Sequence, residues 1–357
     1  MTRAITLAKR GEGFVEPNPM VGCVIAREDR VVGEGWHQRF GGDHAEIEAL
    51  NDAGDAARGA TMFVTLEPCC HHGKTPPCAD AVIKAGVKRV VVAQRDPFPQ
   101  VDGGGLQLLE RAGVEVEVGL CEKQARVLNA PYLKLIETGK PWIIAKWAMT
   151  LDGKIATNSG DSQWISNAAS RSIVHQIRGR VDAIMVGSGT VRADDPTLTA
   201  RPSGPRTATR VILDSSASLS LNSKLIASVD SAPILVVAAT DAPRENVKQL
   251  MAKGCEVILC DGDTLTSRLD KLMVELGRRR LNNVLVEGGA TLLGTLQDAN
   301  MLDELHVFIA PKIVGGADAP GPVGGAGLDR LVDARRLMNW TVREVDGDVY
   351  VTCRIDR

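Results

Sequence analysis

Between Asp43 and Cys78 the chain gathers side chains able to ligate a metal in two short pieces. The first is Asp43-His44-Ala45-Glu46. The second runs Glu67-Pro68-Cys69-Cys70-His71-His72-Gly73-Lys74-Thr75-Pro76-Pro77-Cys78. One imidazole and two spaced thiols suit zinc, which binds such ligands tetrahedrally and, with three of them, keeps a fourth position for water. The metal brings that water's pKa near neutrality. A carboxylate outside the ligand set must then carry the proton. His44, Cys69 and Cys78 are assigned as zinc ligands and Glu46 as the proton shuttle. Cys70, His71 and His72 are also chemically able to ligate. Cys69 is preferred because it follows Pro68, and Cys78 because it follows Pro77 at a helix start.

These residues must converge, and that constrains the local fold. Residues 44–53 read as a helix with Ala45, Ile47, Ala49 and Leu50 as its apolar positions. Residues 61–66 read as a short buried strand, stopped by Pro68, which cannot donate to a ladder. Residues 79–85 read as a helix led by Cys78. A His and a Glu followed by Pro-Cys and a second Cys are the parts of a hydrolytic zinc deaminase. A purely structural zinc normally closes with four protein ligands, which would leave Glu46 idle.

At 357 residues two domains are the default. A net charge of −2 gives no basic excess to hold a polyanion, so no nucleic-acid partner is expected. The eight cysteines are scattered through a long chain rather than arranged as a disulfide framework, which points to a reducing compartment, the cytoplasm. Met1-Thr2-Arg3-Ala4 leads into a short amphipathic helix, not a signal peptide. No run approaches the roughly 18 apolar residues of a membrane span, so no membrane partner is expected.

Strands are expected at 22–26, 30–35, 61–66, 89–94 and 114–118, with helices at 1–10, 44–53, 79–85, 106–112 and 122–138. Gly139-Lys140-Pro141 then ends a helix and opens the next element. Strands follow at 142–149, 183–186, 210–213, 234–238, 256–259, 283–286 and 305–309. Helices lie between most of them, at 168–178, 245–252, 265–278 and 292–298. Asp346-Gly347-Asp348 marks a closing hairpin within 341–355. Strands alternating with helices imply two α/β domains, residues 1–140 and 141–357.

Three stretches of the second half invite a ligand. Lys146 lies in an otherwise apolar strand, where a lysine needs a partner or a task unless the strand is an edge. Residues 187–201 follow a buried strand, where α/β ligand loops sit, and bring Arg201 as a phosphate clamp. Glu287-Gly288-Gly289-Ala290-Thr291-Leu292-Leu293-Gly294 opens a helix, where amides can meet a pyrophosphate.

Taken together, Pro17-Asn18-Pro19-Met20-Val21-Gly22, Gly35-Trp36-His37, His44-Ala45-Glu46, Thr65-Leu66-Glu67-Pro68-Cys69, Thr75-Pro76-Pro77-Cys78, Thr150-Leu151-Asp152-Gly153-Lys154, Asp194-Asp195-Pro196 and Glu287-Gly288-Gly289 resemble the bifunctional riboflavin-biosynthesis deaminase/reductase family over nearly the whole chain. The resemblance implies a cytidine-deaminase-like α/β/α layered domain followed by a dihydrofolate-reductase-like α/β domain. It implies zinc-dependent deamination of 2,5-diamino-6-ribosylamino-4(3H)-pyrimidinone 5′-phosphate, then NADPH-dependent reduction of the ribosyl group to ribityl. The substrate is a small pyrimidine ribotide, and a homo-oligomer is expected. By the resemblance, Asn18 and His37 fall in the deaminase pocket. Ser162, Arg178, Leu198, Arg201 and Glu287 fall at the reductase's substrate positions. Ala148, Trp164, Thr190, Asp194, Ser215, Gly289, Ala290, Thr291, Leu292, Leu293, Gly294 and Thr295 fall at its NADP positions, and Lys146 in the reductive site. Arg178 and Arg201 offer cationic forks for a phosphate. The family's Asp-Pro-Asn-Pro is here Asp96-Pro97-Phe98-Pro99, and Phe98 lacks the hydrogen bonds of an Asn. A cytidine- or tRNA-type deaminase with a merely binding C-terminal half is the competing reading.

Overall fold

The computed structural model describes residues 1–70, 77–262 and 264–356, in two compact units, Met1–Gly139 and Lys140–Arg357. His71 and His72 lie outside the described residues.

In the first unit β1 (Gly22–Arg27), β2 (Arg30–Trp36), β3 (Thr61–Val64), β4 (Arg89–Val92) and β5 (Glu115–Val118) form one sheet in the order β2-β1-β3-β4-β5. β1 runs antiparallel to both neighbours, whereas β3, β4 and β5 are mutually parallel. Ala45 and Ala49 of one helix, Val82 of a second and Leu109 of a third pack with Met62, Val64, Val90 and Val92 in one core. Ala4 and Leu7 meet Val24, and Tyr132 and Leu133 meet Leu66, in two smaller clusters. The result is helices layered around a sheet.

One expectation fails here. Residues 122–138 are not one helix but two, Glu122–Leu128 and Ala130–Thr138. Pro131 lacks the N–H that would continue the ladder. Asn129, at the break, is buried and turns its side chain on Met20, accepting from its N–H at 2.8 Å and donating to its carbonyl at 2.9 Å.

The second unit is built on β6 (Trp142–Thr150), β7 (Ala183–Gly187), β8 (Thr209–Leu213), β9 (Ile234–Ala239), β10 (Glu256–Cys260), β11 (Asn283–Val286), β12 (Glu304–Ala310), β13 (Leu337–Val345) and β14 (Asp348–Ile355). Their order is β10-β9-β8-β7-β11-β6-β12-β14-β13. All neighbours are parallel except the pairs that β14 makes with β12 and β13. Helices cover both faces, so the central strands read as continuous apolar runs. Ile184, Val186 and Ile212 pack with Ile177 on one face; Met185, Val211 and Val286 pack with Leu272, Leu276 and Leu292 on the other. β6 lies between β11 and β12, so Lys146 is on an interior strand, not an edge.

Candidate active sites

In the first unit, His44 is the N-cap of helix Ala45–Ala53, not a residue of its first turn, and Cys78 is the first residue of helix Cys78–Ala85. Cys69 follows the end of β3, and its Sγ accepts the Cys78 N–H at 3.3 Å. His44 Nδ1 lies 3.2 Å from Cys78 Sγ and 3.6 Å from Cys69 Sγ, and all three ligand atoms fall within 4.8 Å of one another. A tetrahedral zinc at ordinary Zn–S and Zn–N lengths spaces its ligand atoms by about 3.5–3.8 Å, so this donor set fits the ion.

The site's electrostatics follow from packing. The Cys78 thiol hydrogen-bonds Cys69 and, with the His44 ring, holds Cys69 toward thiolate; the same pairing and burial push Cys78 up. His44, hydrogen-bonded to Cys69, is raised to about 9. Glu46, 3% exposed, is raised to about 7, chiefly by burial and against the pull of His44. A carboxyl near neutrality can both take and give a proton.

His37 is fixed from both sides. Its Nδ1 donates to the Asp43 carbonyl at 2.9 Å, which leaves Nε2 to accept from Asn18 Nδ2 at 3.3 Å. Burial holds the ring below its ordinary pKa, so it stays neutral. Its ring meets His44 edge-on, 5.4 Å between centroids.

One residue that sequence reasoning passed over organises the approach. Glu67 is buried three residues beyond β3, and its carboxylate accepts the amides of Asp96, Gly103, Gly105 and Leu106 at 3.0–3.3 Å. It therefore ties the candidate metal-ligand turn to Asp96, ahead of Phe98, and to the N-terminus of helix Gly104–Arg111. A Cβ at Gly105 would stand 1.9 Å from the Pro68 carbonyl, so only glycine permits that approach. A glutamate beside an apolar strand was the available signal.

In the second unit Lys146, Glu287 and Arg178 form a buried cluster. Arg178 donates to Glu287 through Nε and, at 2.9 Å, Nη2; Lys146 Nζ is 3.6 Å from Glu287 Oε2. Burial alone would push Glu287 up, but Arg178 and Lys146 reverse this and hold it at about 2. Lys146 is lowered, by burial first and by Arg178, with Glu287 only partly offsetting them. Arg178 is raised despite its burial, because it owns the bidentate contact. The cluster keeps a net positive charge, and Lys146 is its weakest holder of a proton. Arg178 is thus committed to Glu287 rather than presented as an open fork.

Residues 187–201 are not all loop: Ser188–Asp194 is a helix. Asp194 accepts a long contact from Ser162 Oγ at 3.5 Å. Beyond the helix, Leu198 has φ +52 and is 3% exposed, packed in the core, so only its backbone faces outward. Arg201 is exposed, with Nη1 on Thr197 Oγ1 at 2.6 Å and Nη2 3.5 Å from His175 Nε2. No carboxylate pairs with Arg201 among the described ion pairs.

Gly289 is the N-cap of helix Ala290–Asp298 with φ +76, and a Cβ there would meet Thr190 Oγ1 at 3.4 Å. This turn is a cradle of backbone, bordered by Thr190, of the kind that admits a phosphate group. Leu292, Leu293 and Gly294 are buried, so a cofactor at this turn meets backbone from them, not side chains. Thr291 is exposed, and Thr295 donates to the Thr291 carbonyl at 2.9 Å. Ala148 is half-buried on β6, Ser215 is exposed beyond β8, and Trp164 is 63% exposed with Arg171 stacked 4.6 Å from its centroid.

A His/Cys/Cys set with a buried carboxyl outside the ligand set, on an α/β/α layered unit, defines a zinc-dependent deaminase. The cytidine and deoxycytidylate deaminase zinc-binding region matches residues 1–94, and the RibD C-terminal domain matches residues 141–350. The chain belongs to the RibD family of riboflavin biosynthesis proteins. It is 40% identical to RibD of Actinobacillus pleuropneumoniae over 98% of this chain and 93% of that protein. It is 42% identical to RibD of Aquifex aeolicus over 94% of this chain and 93% of that one. The structure of Acinetobacter baumannii RibD superposes with a TM-score of 0.88 at 37% identity, covering 100% of this chain and 98% of that chain. The diaminohydroxyphosphoribosylaminopyrimidine deaminase/5-amino-6-(5-phosphoribosylamino)uracil reductase of Thermotoga maritima superposes at 0.84 and 36% identity, covering 100% and 97%.

Proposed function

We propose that the chain performs both reactions in sequence, deamination in residues 1–140 and reduction in residues 141–357. The convergence of three ligand atoms within 4.8 Å, with a buried carboxyl two residues beyond His44, carries the reading. Zinc, when held by His44, Cys69 and Cys78, supplies an activated water. Glu46, buried two residues beyond His44, would be the group that takes a proton from such a water and returns it to the departing ammonia. Asn18 and the neutral His37 orient the pyrimidine ribotide. The products are the uracil and ammonia.

In the second unit NADPH, when bound, supplies the hydride. Lys146, whose ammonium is destabilised by burial and by Arg178, releases the accompanying proton. Glu287, with Ser162 and the Leu198 backbone, positions the ribosyl group; Arg201 takes its phosphate; the Gly289 turn takes the phosphates of NADPH. The Lys146–Glu287–Arg178 cluster favours a reacting second half over one that only binds, because burial and Arg178 lower the lysine's hold on its proton despite its pairing with Glu287.

We place this enzyme in the cytoplasm as a homo-oligomer. No described helix is long and apolar enough to cross a membrane. The outermost strand β13 is exposed along nearly all its length, Trp340 to 68%, as suits a strand edge covered by a second copy. Incubating the purified chain with the diaminopyrimidine ribotide, with and without NADPH, tests the reading by product mass. Without NADPH, one amine should be exchanged for oxygen; with it, two further hydrogens should appear. Reduction in the absence of any deamination would overturn the order.

A further inference from the structure

We propose that Thr197 is a positioning residue for the reductase's phosphate site: it aims Arg201 and is itself fixed by Arg210, an arginine sealed in the core. The proposal rests on the reading of Arg201 given above.

Arg210 is the largest fully buried side chain among the described residues. It comes from β8, and burial lowers its pKa. No carboxylate pairs with it among the described residues; every acceptor that it meets is neutral. Nη1 reaches the Thr197 carbonyl at 3.2 Å, the Leu225 carbonyl at 3.4 Å and Ser228 Oγ at 2.7 Å. Nη2 reaches the Ser228 carbonyl at 2.9 Å and the Ala232 carbonyl. A guanidinium buried on neutral acceptors alone is costly unless it fixes something, and what it fixes here is the Thr197 backbone against the end of helix Lys224–Ala227 and Ala232.

One of these anchors, the Thr197 carbonyl, belongs to the residue whose hydroxyl accepts Arg201 Nη1 at 2.6 Å. The following residues are held as firmly. Leu198 inserts its side chain into the core with φ +52, and the Thr199 carbonyl accepts from Arg178 Nη1 at 3.3 Å and His175 Nδ1 at 3.2 Å. Thus His175 keeps its proton on Nδ1 and offers Nε2 to Arg201 Nη2 at 3.5 Å. Arg201 is therefore oriented by two neutral acceptors, Thr197 Oγ1 and His175 Nε2. Neither cancels its charge. An arginine that is oriented and yet electrostatically unpaired is what capture of a phosphate requires, because no carboxylate must first be displaced.

The test uses the full chain and measures reduction of the deaminated ribotide in Thr197→Val, Thr197→Ser, Arg201→Ala and the double variant Thr197→Val/Arg201→Ala. Thr197→Val leaves the carbonyl for Arg210 and removes only the hydroxyl. Losing the one hydroxyl acceptor that orients the cation, with His175 Nε2 still in place, should raise the ribotide KM roughly 3- to 10-fold. kcat and NADPH affinity should stay within about 2-fold, as for an interaction equal in ground and transition states. Thr197→Ser should stay within about 2-fold of the parent, since the hydroxyl is restored. On the Arg201→Ala background, Thr197→Val should add less than about 2-fold, because its route of action is gone. Independent, multiplying effects in the double variant would overturn the proposal, as would an unchanged KM in Thr197→Val or an equal loss of NADPH affinity. An unchanged KM in Arg201→Ala would instead sink the phosphate reading on which it rests.

Discussion

Replacing Glu287 by glutamine removes one negative charge from a cluster that holds two cations. Glu287 has a side chain only 5% exposed, beside Arg178 at 14% and Lys146 at 18%. Breaking a buried pair by removing one partner leaves uncompensated charge and costs about 3–5 kcal/mol. At a guanidinium m-value of about 4 kcal/mol per molar, the unfolding midpoint of the second unit should fall by about 1 M. Four of the five tryptophans, Trp142, Trp147, Trp164 and Trp340, belong to that unit, so their fluorescence reports its transition. The pH dependence has a fixed sign. Glu287 is depressed from 4.5 to about 2, so its contribution is complete above the unfolded value and lost as pH falls toward the folded one. The gap between parent and Glu287→Gln should therefore narrow below about pH 4.5. A triple change of Lys146, Arg178 and Glu287 to methionine should recover most of the stability while abolishing reduction, because an apolar set has no charge to desolvate. An unchanged midpoint in Glu287→Gln, or a gap that widens in acid, would refute the account.

Other outcomes bear on the first unit and on phosphate binding. Glu46→Gln should keep zinc, measured by metal analysis, and lower deamination by about 10²- to 10⁴-fold while reduction of pre-deaminated substrate is unchanged. Cys69→Ala should lose zinc and deamination together whereas Cys70→Ala keeps both; the opposite pattern would reassign the ligand. Arg201→Ala should raise the ribotide KM roughly 30- to 150-fold, from a charge-assisted bidentate contact of about 2–3 kcal/mol, and barely change NADPH binding. Gly289→Val should do the reverse, measured by NADPH fluorescence titration, because a side chain there meets a positive φ and Thr190.

The central strands of the second sheet were legible because parallel, doubly covered strands must be apolar throughout, and β7, β9 and β11 announce themselves in that way. Their lateral order was not, since nothing local to β6 says that β11 and β12 will flank it. The same blindness hides Arg178 and Glu287 from each other: they meet across 109 residues, and the sequence shows only two separate charges. The break at Asn129 was missed because the apolar period runs through it; a single tertiary hydrogen-bond pair with Met20 and one proline outweigh that period. The helix Ser188–Asp194 was missed for the opposite reason, being short, glycine-containing and nearly without apolar periodicity. Metal-site chemistry, by contrast, needs particular residue types at close spacing, and so it was visible before any fold was known. The side chains of Leu198, Leu292 and Leu293 show the limit of matching positions: they face the core, and only their backbone is available to a ligand.

Glu67 leaves a mark on how this family can diversify. Between Asp96 and the start of helix Gly104–Arg111, four amides, those of Asp96, Gly103, Gly105 and Leu106, are gripped by one carboxylate, with Asp96 braced by Tyr132 at 2.8 Å. None of these five bonds uses the side chain at position 98. A change of side chain there leaves those anchors in place. A laboratory library confined to residue 98 would explore pocket chemistry on a constant backbone, whereas one that included Glu67 would change the scaffold itself.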